Sequence, residues 1–156
     1  MMTTHTTEPV VVVVDLQKVV LPKSKVTAEE ILIAAERVPA AEFQIAQVLK
    51  NRQRALLRLN QEVDLSSMEV ERFQTWKSDR TFRLFVDDVQ FDWGSVSISA
   101  EDLKELAGVD PATVDVWQEV VGGDDHLIAT GKSASLDGKD AERFFSARGA
   151  TTEGRR

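Results

Sequence analysis

The residues of this chain that are able to do chemistry are few, and the most conspicuous are pairs of carboxylates. Asp87-Asp88 and Glu101-Asp102 each bring two acids together, as general acid–base catalysis requires. The first pair lies in a predicted hairpin turn and the second at a predicted helix start, so local structure accounts for both. Gly122-Gly123-Asp124-Asp125 lacks the Lys and Ser or Thr of a phosphate-binding loop and the acid spacing of a calcium loop. We predict a tight turn there.

Cysteine and histidine exclude further classes of site. The chain has no cysteine, which removes thiol nucleophiles, thiolate metal sites and disulfides together and fits a reducing compartment. His5 and His126 are too few and too far apart in sequence for a zinc site. No nucleophile stands beside a positioned base. The sequence therefore predicts a protein that is not an enzyme, with no metal and no cofactor.

The end of the chain has a different kind of chemical potential. Phe144-Phe145 is followed by Ser146-Ala147-Arg148-Gly149, and residues 150–156 contain no large apolar side chain. We predict that the phenylalanines close the last strand, that an extended and flexible arm leaves the strand just after Phe145, and that the end beyond Gly149 is removable.

Composition indicates a cytoplasmic globular protein. Apolar residues make up 42% and charged residues 29% of the 156, which is typical of soluble domains. The net charge of −7 argues against a general nucleic-acid binder, because phosphate contacts require clustered Lys and Arg. The apolar run Val10–Val14 is too short for the core of a signal peptide or for a membrane span. We expect no contact with nucleic acid or membrane.

The chain contains an internal repeat, in which the second half of the sequence resembles the first. At an offset of 72 residues, Val14-Asp15 aligns with Val86-Asp87. After one residue is dropped in a loop, Glu71-Arg72-Phe73 aligns with Glu142-Arg143-Phe144. One gap in so long an alignment makes chance an unsatisfactory explanation. The unit is too long for a solenoid repeat, so we predict two small homologous domains.

Each unit has the same predicted elements. Apolar residues alternate with their neighbours in the first strand, a polar turn leads into a second strand, and a helix follows. Thr27 with Glu30, and Ser99 with Asp102, have the spacing of a capping box at the helix start. Gly108 suits the left-handed position that ends a helix. Three strands then return, and the last must lie beside the first to be buried.

The predicted fold class is α+β, in the order β-β-α-β-β-β for each unit. The predicted organisation is a disordered N-terminus (1–9), a first domain (10–77), a linker (78–81), a second domain with its C-terminal arm (82–149) and a cleavable tail (150–156).

The order of elements resembles the β-grasp fold of ubiquitin, and the second unit resembles the bacterial multi-ubiquitin domain. The residues that carry this resemblance are Val86-Asp87-Asp88, Ser99–Gly108, Val116–Glu119, Gly122–Asp125 and Glu142–Phe145. The tandem pair is also similar to the ubiquitin-like modifiers of bacterial antiphage conjugation operons. The resemblance implies two ubiquitin-like β-grasp domains and four kinds of partner, namely an E1-like activating enzyme, an E2-like conjugating enzyme, a JAB-type metallopeptidase and target proteins.

The resemblance also implies a role for Gly149. In a modifier, the terminal carboxylate is adenylated and then forms a thioester, so it must thread into a buried site. A glycine suits this because it has no Cβ and permits close backbone approach. Ser146, Ala147 and Arg148 would form the recognition arm, with Arg148 offering its guanidinium to an acidic partner site. A peptidase would cut between Gly149 and Ala150.

Alternatives remain open from the residues. Gly154 is a second candidate for the mature end, and residues 150–156 are also compatible with an ordinary terminus that is never cut. The protein could instead be a sulfur carrier that ends in a thiocarboxylate, or a ubiquitin-like scaffold that binds partners without being conjugated. Changing Gly149 to a bulky residue separates a scaffold from the other two.

Two surface features follow from the same reading. Aromatic residues at strand spacing usually pack in the core, but modifiers also bind partners through an apolar patch on the sheet, so Trp117 or Phe145 is a candidate for exposure. Lys104, Lys132 and Lys139 are candidate acceptors for chain formation.

Overall fold

A computed structural model describes residues 9–66, 71–138 and 140–148. The chain divides into two compact units, the first ending at Asp79 and the second beginning at Arg80. The predictions of a disordered N-terminus at residues 1–9 and of a cleavable tail at residues 150–156 fall, apart from Pro9, outside the described residues and stay predictions.

The first unit, within its described residues, contains strands, one α-helix and one 3-10 turn. In chain order they are β1 (Val10–Val14), β2 (Gln17–Leu21), β3 (Lys25–Thr27), α1 (Ala28–Ala34), the 3-10 turn Ala40–Glu42, β4 (Gln44–Val48), β5 (Arg54–Leu57), β6 (Glu62–Asp64) and β7 (Arg72–Trp76). The main sheet has the order β2-β1-β7-β4-β5, and β3 pairs with β6 in a separate ribbon.

The second unit repeats this arrangement. Its described elements are β8 (Phe82–Val86), β9 (Val89–Trp93), β10 (Ser97–Ser99), α2 (Ala100–Ala107), β11 (Val114–Gln118), β12 (His126–Ile128), β13 (Ser133–Ser135) and β14 (Glu142–Arg148). The main sheet has the order β12-β11-β14-β8-β9, and β10 pairs with β13. Two homologous α+β units with one helix over a mixed sheet confirm the predicted fold class.

The last strand of each unit returns beside the first, as burial required. β7 runs parallel to β1, with Val14 opposite Phe73, and β14 runs parallel to β8, with Val86 opposite Phe144. The β1–β2 and β8–β9 hairpins each turn through two residues with positive φ. These are Asp15-Leu16 in the first unit and Asp87-Asp88 in the second. Two such residues match the right-handed twist of the flanking strands, and Asp tolerates this conformation better than most residues do.

Helix capping was predicted correctly from the sequence. The Thr27 hydroxyl accepts from the Glu30 amide at 3.2 Å while the Glu30 carboxylate accepts from the Thr27 amide at 2.7 Å, which completes the capping box. Ser99 accepts from the Asp102 amide at 3.0 Å. Gly108 ends α2 at φ 70° and ψ 34°, in the left-handed region.

The structure adds two short strands to each predicted unit. The ribbon β3–β6 pairs Val26 with Val63, and β10–β13 pairs Ile98 with Ala134. Each of these strands has three residues with one buried apolar side chain, too few for an alternating pattern to register in sequence. The ribbons end at the helix caps, since Thr27 and Ser99 are the last residues of β3 and β10.

The core of each unit lies between the helix and one face of the sheet. In the first unit α1 buries Ala28, Ile31 and Leu32, whereas Ala34 is exposed. A helix of seven residues has one buried stripe. Ile31 and Leu32 lie on the same stripe as Ala28, because they follow it by three and four residues. The core of the second unit is built from the buried residues Leu84, Val86, Phe91, Trp93, Ile98, Leu103, Leu106, Val116, Ile128 and Phe144.

Over the described residues, neither helix is long and apolar enough to cross a membrane.

Candidate functional site at the last strand

The predicted recognition arm is part of the sheet. Ser146, Ala147 and Arg148 are the last residues of β14 and pair antiparallel with β11, opposite Val116, Asp115 and Val114. The prediction that the chain leaves the sheet just after Phe145 is therefore wrong. Gly149 and Ala150, the predicted conjugation end and cleavage position, lie outside the described residues, so their roles stay predictions.

A side chain 59 residues earlier in sequence holds Ser146 in place. The Asp87 carboxylate accepts the Ser146 amide at 2.8 Å through Oδ1 and the Ser146 hydroxyl at 2.7 Å through Oδ2. The backbone amide of Asp87 donates to the Phe144 carbonyl at 2.9 Å. Hydrogen bonds to a charged group are stronger than neutral ones, so the hairpin turn anchors the strand just where its parallel pairing with β8 ends.

The first unit has the same contact in its own hairpin turn. Asp15 accepts the Thr75 amide at 2.8 Å and also accepts the Thr75 hydroxyl. The sequence held a signal for this contact, because the repeat aligns Asp15 with Asp87 and Thr75 with Ser146, two hydroxyl residues at one position. The contact was missed because nothing local connects an acid in a turn with a hydroxyl about 60 residues away.

The two contacts differ in one partner. In the first unit the Arg37 guanidinium lies on Asp15, with Nη2 3.0 Å and Nε 3.2 Å from Oδ2, and Nε is also 3.3 Å from the Thr75 hydroxyl. Val109 occupies the position of Arg37 in the second unit, where it follows Gly108 at the end of α2. Among the described residues, no cationic side chain lies within salt-bridge distance of Asp87.

An apolar surface adjoins the end of β14, on the face of the sheet opposite the core. Trp117 and Phe145 are half-buried and stack with ring centroids 6.4 Å apart and planes 6° from parallel. Leu127 lies beside Trp117 across the β11–β12 pair and is 40% exposed. Sequence reasoning proposed exposure of one aromatic residue, and both contribute. We call Trp117, Phe145 and Leu127 the aromatic face.

Charged residues surround the aromatic face. The aromatic face forms an open groove of about 630 Å³. The lining of this groove is completed by Asp115, Asp125, Ala147 and Arg148. On the other side, Phe85 and Phe145 line a second groove, where the Arg143 guanidinium lies 4.3 Å from the centre of the Phe85 ring. The surface therefore extends from the sheet edge at β12 to the strand that leads into Gly149.

The same face of the first unit is built differently. The strand registers place Ala46 where Trp117 stands, Gln74 where Phe145 stands and Leu56 where Leu127 stands. Arg54, only 4% exposed, donates from Nε to the Gln74 side chain at 2.9 Å and from Nη1 to the Arg52 carbonyl at 2.6 Å. A buried arginine and a glutamine thus occupy what is an apolar groove in the second unit.

The remaining sequence candidates have structural roles in the described residues. Gly122 has φ +80° in the turn between β11 and β12, and the Asp125 carboxylate accepts the Val120 amide at 3.2 Å in the same turn. Glu101 accepts the Gly131 amide at 3.1 Å, which joins the start of α2 to the loop before β13. The turn at residues 121–123 and the positive φ of Gly122 confirm the predicted tight turn.

The three candidate acceptor lysines differ in access. Lys104 is 4% exposed, and its ammonium donates to the Pro111 carbonyl at 2.9 Å. Lys132 is exposed, and Lys139 lies outside the described residues. Burial removes Lys104 from the candidates, because an acceptor amine must reach a thioester in a partner enzyme.

The sequence matches a family of known proteins. The family model described as Multiubiquitin matches residues 10–78 and again residues 82–149. The two segments coincide with the two compact units, so the match covers both repeats and nearly all of the described chain. No curated protein matches the sequence.

Proposed function

The chain belongs to the multiubiquitin family, and from this premise we propose that it is a ubiquitin-like protein modifier that is conjugated through Gly149. The observation that carries the proposal is the asymmetry of the two units. Only the second unit combines an apolar docking surface, Trp117, Phe145 and Leu127, with a last strand that leads into a glycine. A partner that holds this face is beside the strand that leads into the end on which it would act.

The proposed chemistry begins with maturation. A JAB-type metallopeptidase hydrolyses the Gly149–Ala150 peptide bond, which releases residues 150–156 as a peptide and leaves a carboxylate on Gly149. An E1-like enzyme then joins this carboxylate to the α-phosphate of ATP, with pyrophosphate as the leaving group. The lack of a Cβ on glycine keeps the reacting carbonyl accessible at both steps.

Transfer to the target follows through thioesters. A cysteine thiolate of the E1-like enzyme displaces AMP, an E2-like cysteine takes over the acyl group, and a target lysine amine displaces that thiol to form an isopeptide bond. This chain has no cysteine of its own, so in this scheme it is the substrate and the partners are the enzymes. The resemblance to antiphage conjugation operons supports the proposal that the process occurs in the bacterial cytoplasm and serves defence against phage.

A non-covalent scaffold is the second candidate, because the aromatic face supports reversible binding as well as it supports conjugation. The two functions separate at Gly149. A scaffold keeps all its contacts when Gly149 is replaced, whereas a modifier loses the carboxylate geometry on which adenylation depends.

The test is co-expression of the full chain with its E1-like, E2-like and peptidase partners. Wild-type protein should lose residues 150–156, as measured by intact mass, and should appear in higher-mass conjugates. Gly149→Trp should abolish both. Gly154→Trp is the matched control, since it puts the same side chain into the segment that is discarded, and it should be conjugated normally. Conjugation of Gly149→Trp, or mature protein that retains Arg156, contradicts the proposal. A mass change equal to the replacement of one oxygen by one sulfur at the mature carboxylate identifies a sulfur carrier instead.

A further inference from the structure

The pairing of β14 leaves almost no free chain before the proposed reactive end. Arg148 is still opposite Val114 in the sheet, and Gly149 is the next residue. One extended residue spans at most about 3.6 Å, too little to carry a carboxylate into a buried active site. We propose that the contact between Asp87 and Ser146 is a releasable latch that must open before Gly149 reacts. The inference rests on the proposed function for its consequence, while the latch itself can be measured without it.

The latch holds the last part of β14 only on the side of that strand that faces β8. The parallel register of β14 with β8 ends at Phe144, opposite Val86. Beyond that point Asp87 is the last residue on this side to bond to β14, through the Ser146 amide and hydroxyl. Ala147 is held by its pairing with Asp115 alone. When the latch opens, only three residue pairs with β11 remain to keep Ser146–Arg148 in the sheet.

Opening supplies the reach that the closed strand lacks. Release of residues 146–148 gives a free segment of four residues through Gly149, which spans roughly 14 Å when extended. Local openings of this kind at strand ends require much less free energy than global unfolding, especially where the contacts are exposed. Both Asp87 and its hydrogen bonds to Ser146 are exposed, so partner enzymes and water have access to them.

The first unit shows what a locked form of this contact looks like. Its Asp15 binds Thr75 in the same way and is covered by Arg37, which bonds to the carboxylate, to the Thr75 hydroxyl and, through Nη1, to the Ala35 carbonyl at 2.9 Å. That unit has no glycine after its last strand. The unit with the glycine has Val109 in place of the arginine. The stronger contact therefore occurs in the first unit, where no chain end has to be released. The weaker contact occurs in the second unit, where a chain end does have to be released.

The latch then sets the fraction of molecules whose end is available. An enzyme that binds only the open form has its apparent affinity reduced in proportion to that fraction. Asp87 and Ser146 act as positioning residues, because in this scheme they change the population of the reactive conformation and form no bond to the reacting carboxylate.

The first measurement is amide hydrogen exchange at Ala147 in the full chain. Ala147 pairs with Asp115 and does not bond to Asp87, so its exchange reports opening of the strand and not merely loss of one hydrogen bond. Asp87→Gly removes the carboxylate and accepts the positive φ of 51° without strain. Asp88→Gly is the matched control, at the neighbouring position with φ 68°, where the carboxylate lies 3.6 Å from Arg143 and not on Ser146.

Ala147 should exchange about tenfold faster in Asp87→Gly, the change expected when a charge-assisted contact is lost, and at the wild-type rate in Asp88→Gly. Ser146→Ala leaves the turn intact and should give a smaller increase in the same direction. Equal exchange in Asp87→Gly and Asp88→Gly overturns the latch.

The second measurement adds the missing arginine. Val109→Arg, which copies Arg37, should slow exchange at Ala147 and should slow both peptidase maturation and adenylation, whereas Asp87→Gly should speed them. Reaction rates that do not follow the Ala147 exchange rate across these variants overturn the gating role. Failure of the proposed function has a different signature, since conjugates would then be absent from the wild type or would persist in Gly149→Trp, while the exchange results stood.

Discussion

The indole of Trp117 and the phenyl ring of Phe145 stack across adjacent strands, 6.4 Å apart and 6° from parallel, on the solvent-facing side of the second sheet. Aromatic pairs of this kind contribute about 0.5–1.5 kcal/mol beyond the area they bury. Here both rings remain partly exposed, so part of their apolar surface is available to a partner. The equivalent pair in the first unit is Ala46 and Gln74, which have no such surface.

The aromatic face predicts a matched pair of leucine variants. Leu127 and Leu56 are at equivalent positions in the two units, opposite Trp117 and Ala46. Leu127→Gln should weaken binding of the full chain to its E1-like enzyme about tenfold or more, because it puts an amide into the apolar groove. A loss of this size is typical of substitutions at the centre of an interface. Leu56→Gln should leave binding unchanged. Titration calorimetry measures both, and equal effects would show that the two faces are used alike.

Burial of Lys104 predicts that the lysines differ in reactivity. Lys104 is 4% exposed with its ammonium bonded to the Pro111 carbonyl, whereas Lys132 is exposed. Brief treatment of the folded chain with an amine-acetylating reagent should modify Lys132 at least about tenfold faster than Lys104, since reaction at Lys104 requires a local opening. Peptide mass spectrometry measures the two rates. In the urea-unfolded control the two lysines should react at equal rates. Equal rates in the folded chain would contradict the buried position of Lys104.

The helix ends predict opposite effects of glycine in the two units. Gly108 ends α2 at φ 70°, and the equivalent residue after α1 is Glu36, at φ 64°. A side chain in this region costs about 1–2 kcal/mol. Gly108→Ala should therefore destabilise the second unit by about 1 kcal/mol, and Glu36→Gly should stabilise the first by about 0.5–1 kcal/mol after the entropy of the unfolded glycine is subtracted.

Each effect of these glycine variants should be confined to its own unit. Urea unfolding followed by NMR resolves the units, because Trp76 reports on the first and Trp93 on the second. A loss of stability in Glu36→Gly would mean that the Glu36 side chain contributes more than its backbone strain costs.

Features with local signals were predictable from the sequence. The helix starts follow from the capping residues Thr27 and Ser99, the end of α2 from Gly108, and the hairpins from alternating apolar residues on either side of a polar turn. The position of the last strand beside the first was predicted from the need to bury it, and the structure adds that the two strands run parallel. In these cases the residues that specify the structure are either adjacent in sequence or members of the repeat.

Features that depend on distant side chains were not predictable in the same way. Whether Ser146 stays in the sheet is decided by Asp87, which only the folded chain brings to it. The difference between the two sheet faces depends on Arg54, which a strand pattern marks as exposed but which lies buried on Gln74. Periodicity places a residue on a face of a strand, while the packing of its neighbours decides what that face presents.

Asp64, at the end of β6, predicts a small pH dependence of the first unit. Its pKa is held below the ordinary value of 3.8 chiefly by the Ser66 hydroxyl, next by the Ser66 amide, which donates to Oδ1 at 2.9 Å, and to a lesser extent by Lys25. A pKa that is lower in the folded than in the unfolded chain contributes stability that is fully present above 3.8. This contribution is lost as the pH falls through the lower, folded pKa.

Ser66→Ala should therefore raise the pKa of Asp64 toward 3.8 and remove part of the contribution. NMR titration of the Asp64 carboxyl carbon measures the pKa directly, and urea unfolding of wild type and variant from pH 2 to pH 7 measures the linkage. The stability difference between the two proteins should be constant above about pH 5 and should vanish at the acid end of the range. Lys25→Gln is the control and should raise the pKa less, because the positive charge contributes less than the hydrogen bonds. A larger rise in Lys25→Gln than in Ser66→Ala would show that charge, and not hydrogen bonding, sets the pKa of Asp64.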